Sequence, residues 1–228
     1  MTREKSMRHD KPPQQLAPGP RWSRRGVLFV LSGPSGVGKT SLCRQVVADS
    51  VAVAQSVSYT TRAPRPHEQE GREYHFVSRQ GFEERVVTGE FLEWAQVHGH
   101  CYGTSRRQVE AMTEAGIDVL LAIDVQGAAQ IRASGVEAVF IFLLPPSWEA
   151  LVARLQERAS EAADVQAQRL AVARQELAHY TEYDYAVVND RLAEAAAVLK
   201  AIIVAARHQI ARGSTASVEK LLARCPDE

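Results

Sequence analysis

The stretch Gly33-Pro34-Ser35-Gly36-Val37-Gly38-Lys39-Thr40 constrains this chain more than any other. It fits G-x-x-x-x-G-K-[ST] at every fixed position. It stands between the apolar run Val27 to Leu31 and a helix-patterned segment opening near Lys39, with Leu42, Val46 and Val47 on the inward face. A strand, a glycine loop and a helix in that order turn backbone N–H groups around an anion, and the helix N-terminus adds partial positive charge. In such a loop the lysine reaches the outer phosphates and the next hydroxyl is offered to Mg2+. A plain turn would explain the glycines but neither Lys39 nor Thr40. All eight residues are therefore candidates for a nucleoside triphosphate site, with Thr40 as the one protein ligand to the metal.

Beyond the loop, apolar runs alternate with helical patterns. Val119 to Ile123 and Val139 to Leu144 are continuous apolar segments of the kind buried on both faces of a parallel sheet. Each is followed by a helical pattern, Gln126 to Ser134 and Trp148 to Arg158. A further short strand is expected over Tyr183 to Val188. A final helix carries Leu192, Leu199, Ile202, Ile203 and Ile210 as its core stripe. This alternation predicts a three-layer α/β fold around a parallel sheet. Between the loop and that sheet pattern, Val51 to Tyr59 alternates like a strand, Gly71 to Val77 suggests another, and Phe82 to Val87 a short helix. Ser105 and Gln108 have capping-box spacing for a helix reaching about Ala115.

Composition excludes more than it proposes. Basic and acidic residues balance at 27 each, so no global field calls for nucleic acid or an anionic membrane. Residues 1–25 hold seven of the basic residues and two acids, with four prolines and no apolar periodicity, and read as a disordered basic leader. Cys43, Cys101 and Cys225 are widely spaced with no CxxC pair, which fits a reducing, cytoplasmic setting rather than a disulfide framework or zinc site. The longest apolar run, Ala138 to Leu144, is far too short to span a membrane.

Several polar residues stand out, each open to two readings. Arg62 and Arg65 lie on a path stiffened by Pro64 and Pro66; they suit a phosphate or are solvated surface charges. Glu93 sits in Phe91-Leu92-Glu93-Trp94-Ala95, where it is either a buried carboxylate needing donors or the exposed position of an amphipathic strand. Asp124 ends an apolar run, as a ligand at the sheet's edge or a cap for the next helix. Arg154, Arg158 and Arg169 flank the small-residue connection Ala159 to Ala163, as a cationic lid or as surface arginines paired with Glu157 and Glu161.

Taken together these motifs resemble the guanylate kinase family from about Val27 to Ile203: GPSGVGKT, SYTTRAPRP, GREYHF, FLEWA, YGTS, IDVQGA, PPS with its following arginines, and YDYAVVND, in order. The resemblance implies a P-loop NTPase-type core over 26–57 and 106–212, an inserted small mixed α/β acceptor region over 58–105, a helical lid near 155–170, and a tail over 213–228. It implies ATP and GMP as substrates, Mg2+ as cofactor, and phosphoryl transfer from the first to the second; dGMP is expected as a further acceptor. Arg62, Arg65, Tyr74 and Tyr102 would hold the GMP phosphate, and Glu93 would accept from guanine N1–H and the 2-amino group. Ser58, Thr104 and Asp124 would complete the acceptor's surroundings. Lys39, Arg62, Arg154, Arg158 and Arg169 would supply charge in the transition state. Three positions depart from the family pattern: Ala122 where an acid is usual, His67 where glycine is common, and Ala159 at a frequent lid glycine. Monomer and homodimer both remain compatible with the sequence.

Overall fold

The computed structural model describes residues 24–97, 99–157, 163–209, 219 and 222–224. Strands β1 (Leu28–Ser32), β2 (Val53–Gln55), β7 (Asp118–Ala122), β8 (Ala138–Leu144) and β9 (Tyr185–Val188) form one parallel sheet in the order β2-β7-β1-β8-β9. β1 is central and buried at every position. Its alternating side chains serve two cores. Phe29 and Leu31 pack with Leu42, Cys43 and Val46 of α1 (Lys39–Ala48) and with Leu199 and Ile203 of α7 (Leu192–Arg207). Leu28 and Val30 pack on the other face with Val109 of α3 (Arg106–Glu114) and with Ala128 and Ile131 of α4 (Val125–Ala133). Two apolar faces on one strand require helices on both sides, which is the three-layer arrangement. Burial pushes the Cys43 thiol up to about 12, so it is an inert packing group.

A second sheet has the order β4-β3-β6-β5 and is drawn from β3 (Tyr59–Thr60), β4 (His75–Phe76), β5 (Phe91–Val97) and β6 (His100–Ser105), with α2 (Arg79–Val87) against it. Its small core is Phe82, Phe91 and Cys101. Gln130 of α4 fixes this sheet to the main body: its amide accepts from Trp94 N at 3.1 Å and donates to Trp94 O at 2.7 Å. The remaining helices are α5 (Trp148–Glu157) and α6 (Ala163–Leu177), which pack through Leu151, Leu155, Leu170 and Ala173 and lead into a 3-10 turn over Ala178–Glu182.

Some expected boundaries shift for identifiable reasons. The alternating stretch Val51 to Tyr59 is split: Ala52 has φ 58°, Val53–Gln55 joins the parallel sheet, and Tyr59 belongs to the other one. The strand expected over Gly71 to Val77 shrinks to His75–Phe76, because Gly71 N bonds Tyr74 O at 2.9 Å and closes a tight turn. The helix expected from Phe82 begins at Arg79, where the Ser78 hydroxyl accepts from Gly81 N. Tyr183 precedes β9 rather than opening it. Leu192, at the first position of α7, is 39% exposed and leaves the core stripe. Ile210 lies outside the described residues.

Asp118, fully buried at the start of β7, carries a contact network that the sequence reading passed over. It accepts both Nη atoms of Arg24, at 2.6 and 3.0 Å, the backbone N–H of Val27 at 2.8 Å, and Nε of Arg207. A buried carboxylate is tolerated there because every lone pair faces a donor. The result ties the start of the domain and the end of α7 to the sheet edge opposite the phosphate loop.

Candidate active site

The loop after β1 is shaped by backbone first. Gly38, at φ 103° and ψ 19°, is the left-handed N-cap of α1. A Cβ there would also stand 2.4 Å from Asn189 Nδ2. Glycine is thus required twice over. Asn189, at the end of β9, donates Nδ2 to Val37 O at 2.7 Å, while Arg154 Nη2 donates to Asn189 O at 2.9 Å. Val37 is itself fully buried and anchors the loop in the core. Lys39 Nζ lies inside the turn and donates to the carbonyls of Gly33 and Pro34 at 2.6 and 3.2 Å. Thr40 is exposed on the first turn of α1.

Opposite the loop, Glu93 of β5 is only 5% exposed. Strict alternation would have turned it outward or Leu92 outward. Instead the β5–β6 register shifts between Phe91 and Glu93, so Phe91, Leu92 and Glu93 are all buried. Thr104 on β6 faces Glu93 and donates its hydroxyl to Oε1 at 2.5 Å. Space for the other oxygen is made by Gly127 of α4, where a Cβ would lie 2.5 Å from Oε2. Burial pushes the Glu93 carboxyl up to about 7; the Thr104 hydroxyl opposes the rise, and nearby Asp124 adds to it. Asp124 Oδ1 caps α4 by accepting Gly127 N at 2.8 Å, and the residue lines the cavity described next.

One cavity of about 650 Å³ joins the two regions. Ser35 and Lys39 of the loop line it together with Ser58, Tyr74, Glu93, Tyr102, Asp124 and Arg169. Other anticipated residues stand behind that wall. Thr104 supports Glu93, and Arg154 supports the loop from outside through Asn189. Arg62 packs over the Tyr74 ring at 5.5 Å and is held by Glu68, whose two oxygens accept from Nη2 at 2.8 and 2.9 Å. The same Glu68 carboxylate accepts Arg65 N at 2.9 Å, and the Arg62 guanidinium holds its pKa down to about 2. The Arg65 side chain is exposed. Arg158 and Ala159 lie outside the described residues.

A glycine loop at the N-terminus of α1 thus faces a buried carboxylate across one cavity. The family model described as guanylate kinase matches residues 25–206. The chain belongs to the guanylate kinase family. A guanylate kinase of Dechloromonas aromatica is 49% identical over 178 residues, covering 78% of this chain and 88% of that protein. One from Methylobacillus flagellatus is 50% identical over 179 residues, covering 78% and 89%. The crystal structure of guanylate kinase from Anaplasma phagocytophilum superposes with a TM-score of 0.74 at 34% identity, over 90% of this chain and 98% of that one.

Against the guanylate kinase pattern, the three departures fall differently. Ala122 lines the cavity and leaves its floor apolar at that point. His67 is exposed, and Ala159 is outside the described region. Three residues of the site escaped the sequence reading. Glu68 organises Arg62 and the Arg65 backbone; Gly127 makes room for Glu93; Glu176 of α6 reaches the phosphate loop. Only Gly127 had a signal in the sequence, as the glycine of IDVQGA, and its meaning depends on a carboxylate 34 positions earlier.

Proposed function

We propose that the protein transfers the γ-phosphoryl group of ATP to GMP, and to dGMP, giving ADP and the nucleoside diphosphate. The observation that carries this reading is one continuous cavity lined at one end by Ser35 and Lys39 and at the other by Glu93. Guanine presents N1–H and a 2-amino group side by side, two donors for one carboxylate. Adenine presents a lone pair at N1 and lacks the amino group, so it would offer Glu93 no donor beyond the Thr104 hydroxyl already on Oε1. Sites built this way discriminate strongly, because the wrong ligand strands a polar group.

Phosphoryl transfer asks for placement and charge rather than covalent help. Lys39 and the loop N–H groups would hold the donor phosphates. Arg62 and Arg65, with Tyr74 and Tyr102, would hold the acceptor phosphate, whose own oxygen is the nucleophile, so no general base is required. Arg169 projects into the cavity from α6 and would neutralise charge between the two. Arg154, by securing Val37 O and Asn189, would keep the loop in register. Thr40 would hold a magnesium ion, which when bound would supply positive charge against the donor phosphates. The exposed Thr40 hydroxyl at the start of α1 fits it as a hard oxygen ligand. Among the described residues no helix is long and apolar enough to cross a membrane. The free thiols of Cys43 and Cys101 suit a reducing cytoplasm.

The test is ADP production with ATP and Mg2+, offering GMP, dGMP, AMP, CMP and UMP separately. Turnover with GMP and dGMP well above the other three is expected. No turnover with GMP would overturn the proposal; equal turnover with AMP would overturn the role given to Glu93.

A further inference from the structure

Glu176 is a carboxylate in a place where anion-binding groups are expected to be kept clear. Arg169, Val172 and Glu176 line the cavity from one face of α6, while Leu170, Ala173 and Leu177 pack the adjacent face against Leu151 and Leu155 of α5. From that face Glu176 Oε2 accepts the backbone N–H of Ser35 at 3.0 Å. Ser35 belongs to the loop whose N–H groups are the phosphate ligands of such a site. Lys39 is close enough to favour the ionised carboxylate, although half-burial opposes it and is the larger effect. The α5–α6 pair also meets the next two loop residues. The side chain of Leu155 lies where a Cβ on Gly36 would meet it at 2.9 Å, and Arg154 Nη1 donates to Val37 O at 3.4 Å. Of these contacts only the one from Glu176 occupies a group that a phosphate would need.

We propose that Glu176 is a positioning residue for the donor: its carboxylate holds the place of a phosphate oxygen on Ser35 N–H, and an arriving triphosphate displaces it, moving α6 and the Arg169 it carries. A carboxylate left on this N–H would compete with a phosphate oxygen for the donor and repel it. Because Arg169 and Glu176 are on one face of one helix, release of the second shifts the first. The inference rests on the reading of Gly33–Thr40 as the ATP site and adds to it a coupling between phosphate occupancy and the helix that bears a transfer-site arginine.

The experiment is calorimetric titration of the full chain with a non-hydrolysable ATP analogue plus Mg2+, and separately with GMP, for the unmodified protein and Glu176→Gln. Loss of the competing charge should tighten analogue binding about tenfold, a partly solvated electrostatic effect, with GMP binding unchanged. A carboxylate that merely braces the loop predicts the opposite sign, since its removal would loosen the phosphate ligands. Unchanged or weakened analogue binding overturns the inference, as does equal tightening for both nucleotides. Glu176→Ala carries the same expectation should the glutamine variant fold poorly. If the unmodified protein binds the analogue but Glu176→Gln does not tighten it, the ATP-site reading stands and only this inference falls. If the unmodified protein binds no analogue, both fall.

Discussion

The two ends of the cavity are assembled on opposite principles. The loop end is contiguous: eight consecutive residues that present backbone, the Lys39 and Thr40 side chains and the N-terminus of α1. The carboxylate end is scattered. Ser58, Tyr74, Glu93 and Tyr102 come from four stretches of the second sheet and its loops, and Asp124 and Gly127 from the main body. A backbone-built site tolerates any anion with the right spacing and so offers charge without discrimination. A side-chain-built site is costly to hold in place but can match one base. The proposed function draws rate from the first and selectivity from the second, and that division can be broken at either end.

The largest effect is expected at the loop. Lys39→Ala should lower turnover about 10³-fold, the range seen when a preorganised positive group is removed from a charge-rich transition state. Calorimetry should still detect GMP binding. A variant retaining near-normal turnover would mean that the rate does not depend on the loop.

At the other end, Glu93→Gln should lower kcat/KM for GMP about 100-fold while leaving AMP turnover nearly unchanged, because one of the two donor–acceptor matches becomes a mismatch. An unchanged GMP to AMP ratio would place selectivity elsewhere. The pH dependence sharpens the same point. Glu93 is held up to about 7 in the empty site, so below that pH it is protonated and must ionise to receive guanine's two donors. GMP affinity should therefore fall by about tenfold per unit below pH 7, relative to Glu93→Gln, in which this group does not titrate. GMP's own phosphate titrates alike in both proteins and cancels in the difference. Stability follows the sign of a raised acid. With the folded value above the ordinary carboxyl range, the stability this group lends the empty protein is full below that range and is lost as pH rises to about 7, by up to about 3 kcal/mol. Thermal melts of the two proteins between about pH 4.5 and 8 check it.

The smallest effect is expected at the acceptor arginine. Arg62→Lys should raise KM for GMP about fivefold with KM for ATP unchanged, because lysine keeps the charge but cannot hold Glu68 and a phosphate with one planar fork. A matching rise in KM for ATP would mean that the two ends are not separable.

Legibility in the sequence followed the same division. The phosphate loop is local, so its motif, its neighbouring strand and its helix were all readable from spacing. So were the buried strands Val119 onward and Val139 onward, whose unbroken apolar runs suit burial on both faces of a sheet. Glu93 could be named through its family motif, but its burial could not be derived, because the register shift that turns Leu92 and Glu93 inward together depends on the partner strand. Glu68 reads as one more surface acid until Arg62 folds back on it. Asp118 sits one residue before an apolar run and looks like a turn residue until Arg24 and Arg207, from the two ends of the domain, arrive on either side.

By itself, then, the sequence determined the buried central strands, the alternation of strand and helix around them, and the segment of consecutive glycine-loop residues, since all of these depend on neighbours along the chain. Only the tertiary structure decided which carboxylates became buried and paired. Burial is a property of what other segments bring: Thr104 and Gly127 to Glu93, Ser35 to Glu176, two distant arginines to Asp118. A charge in water costs little anywhere, whereas a charge in the interior persists only where its donors converge.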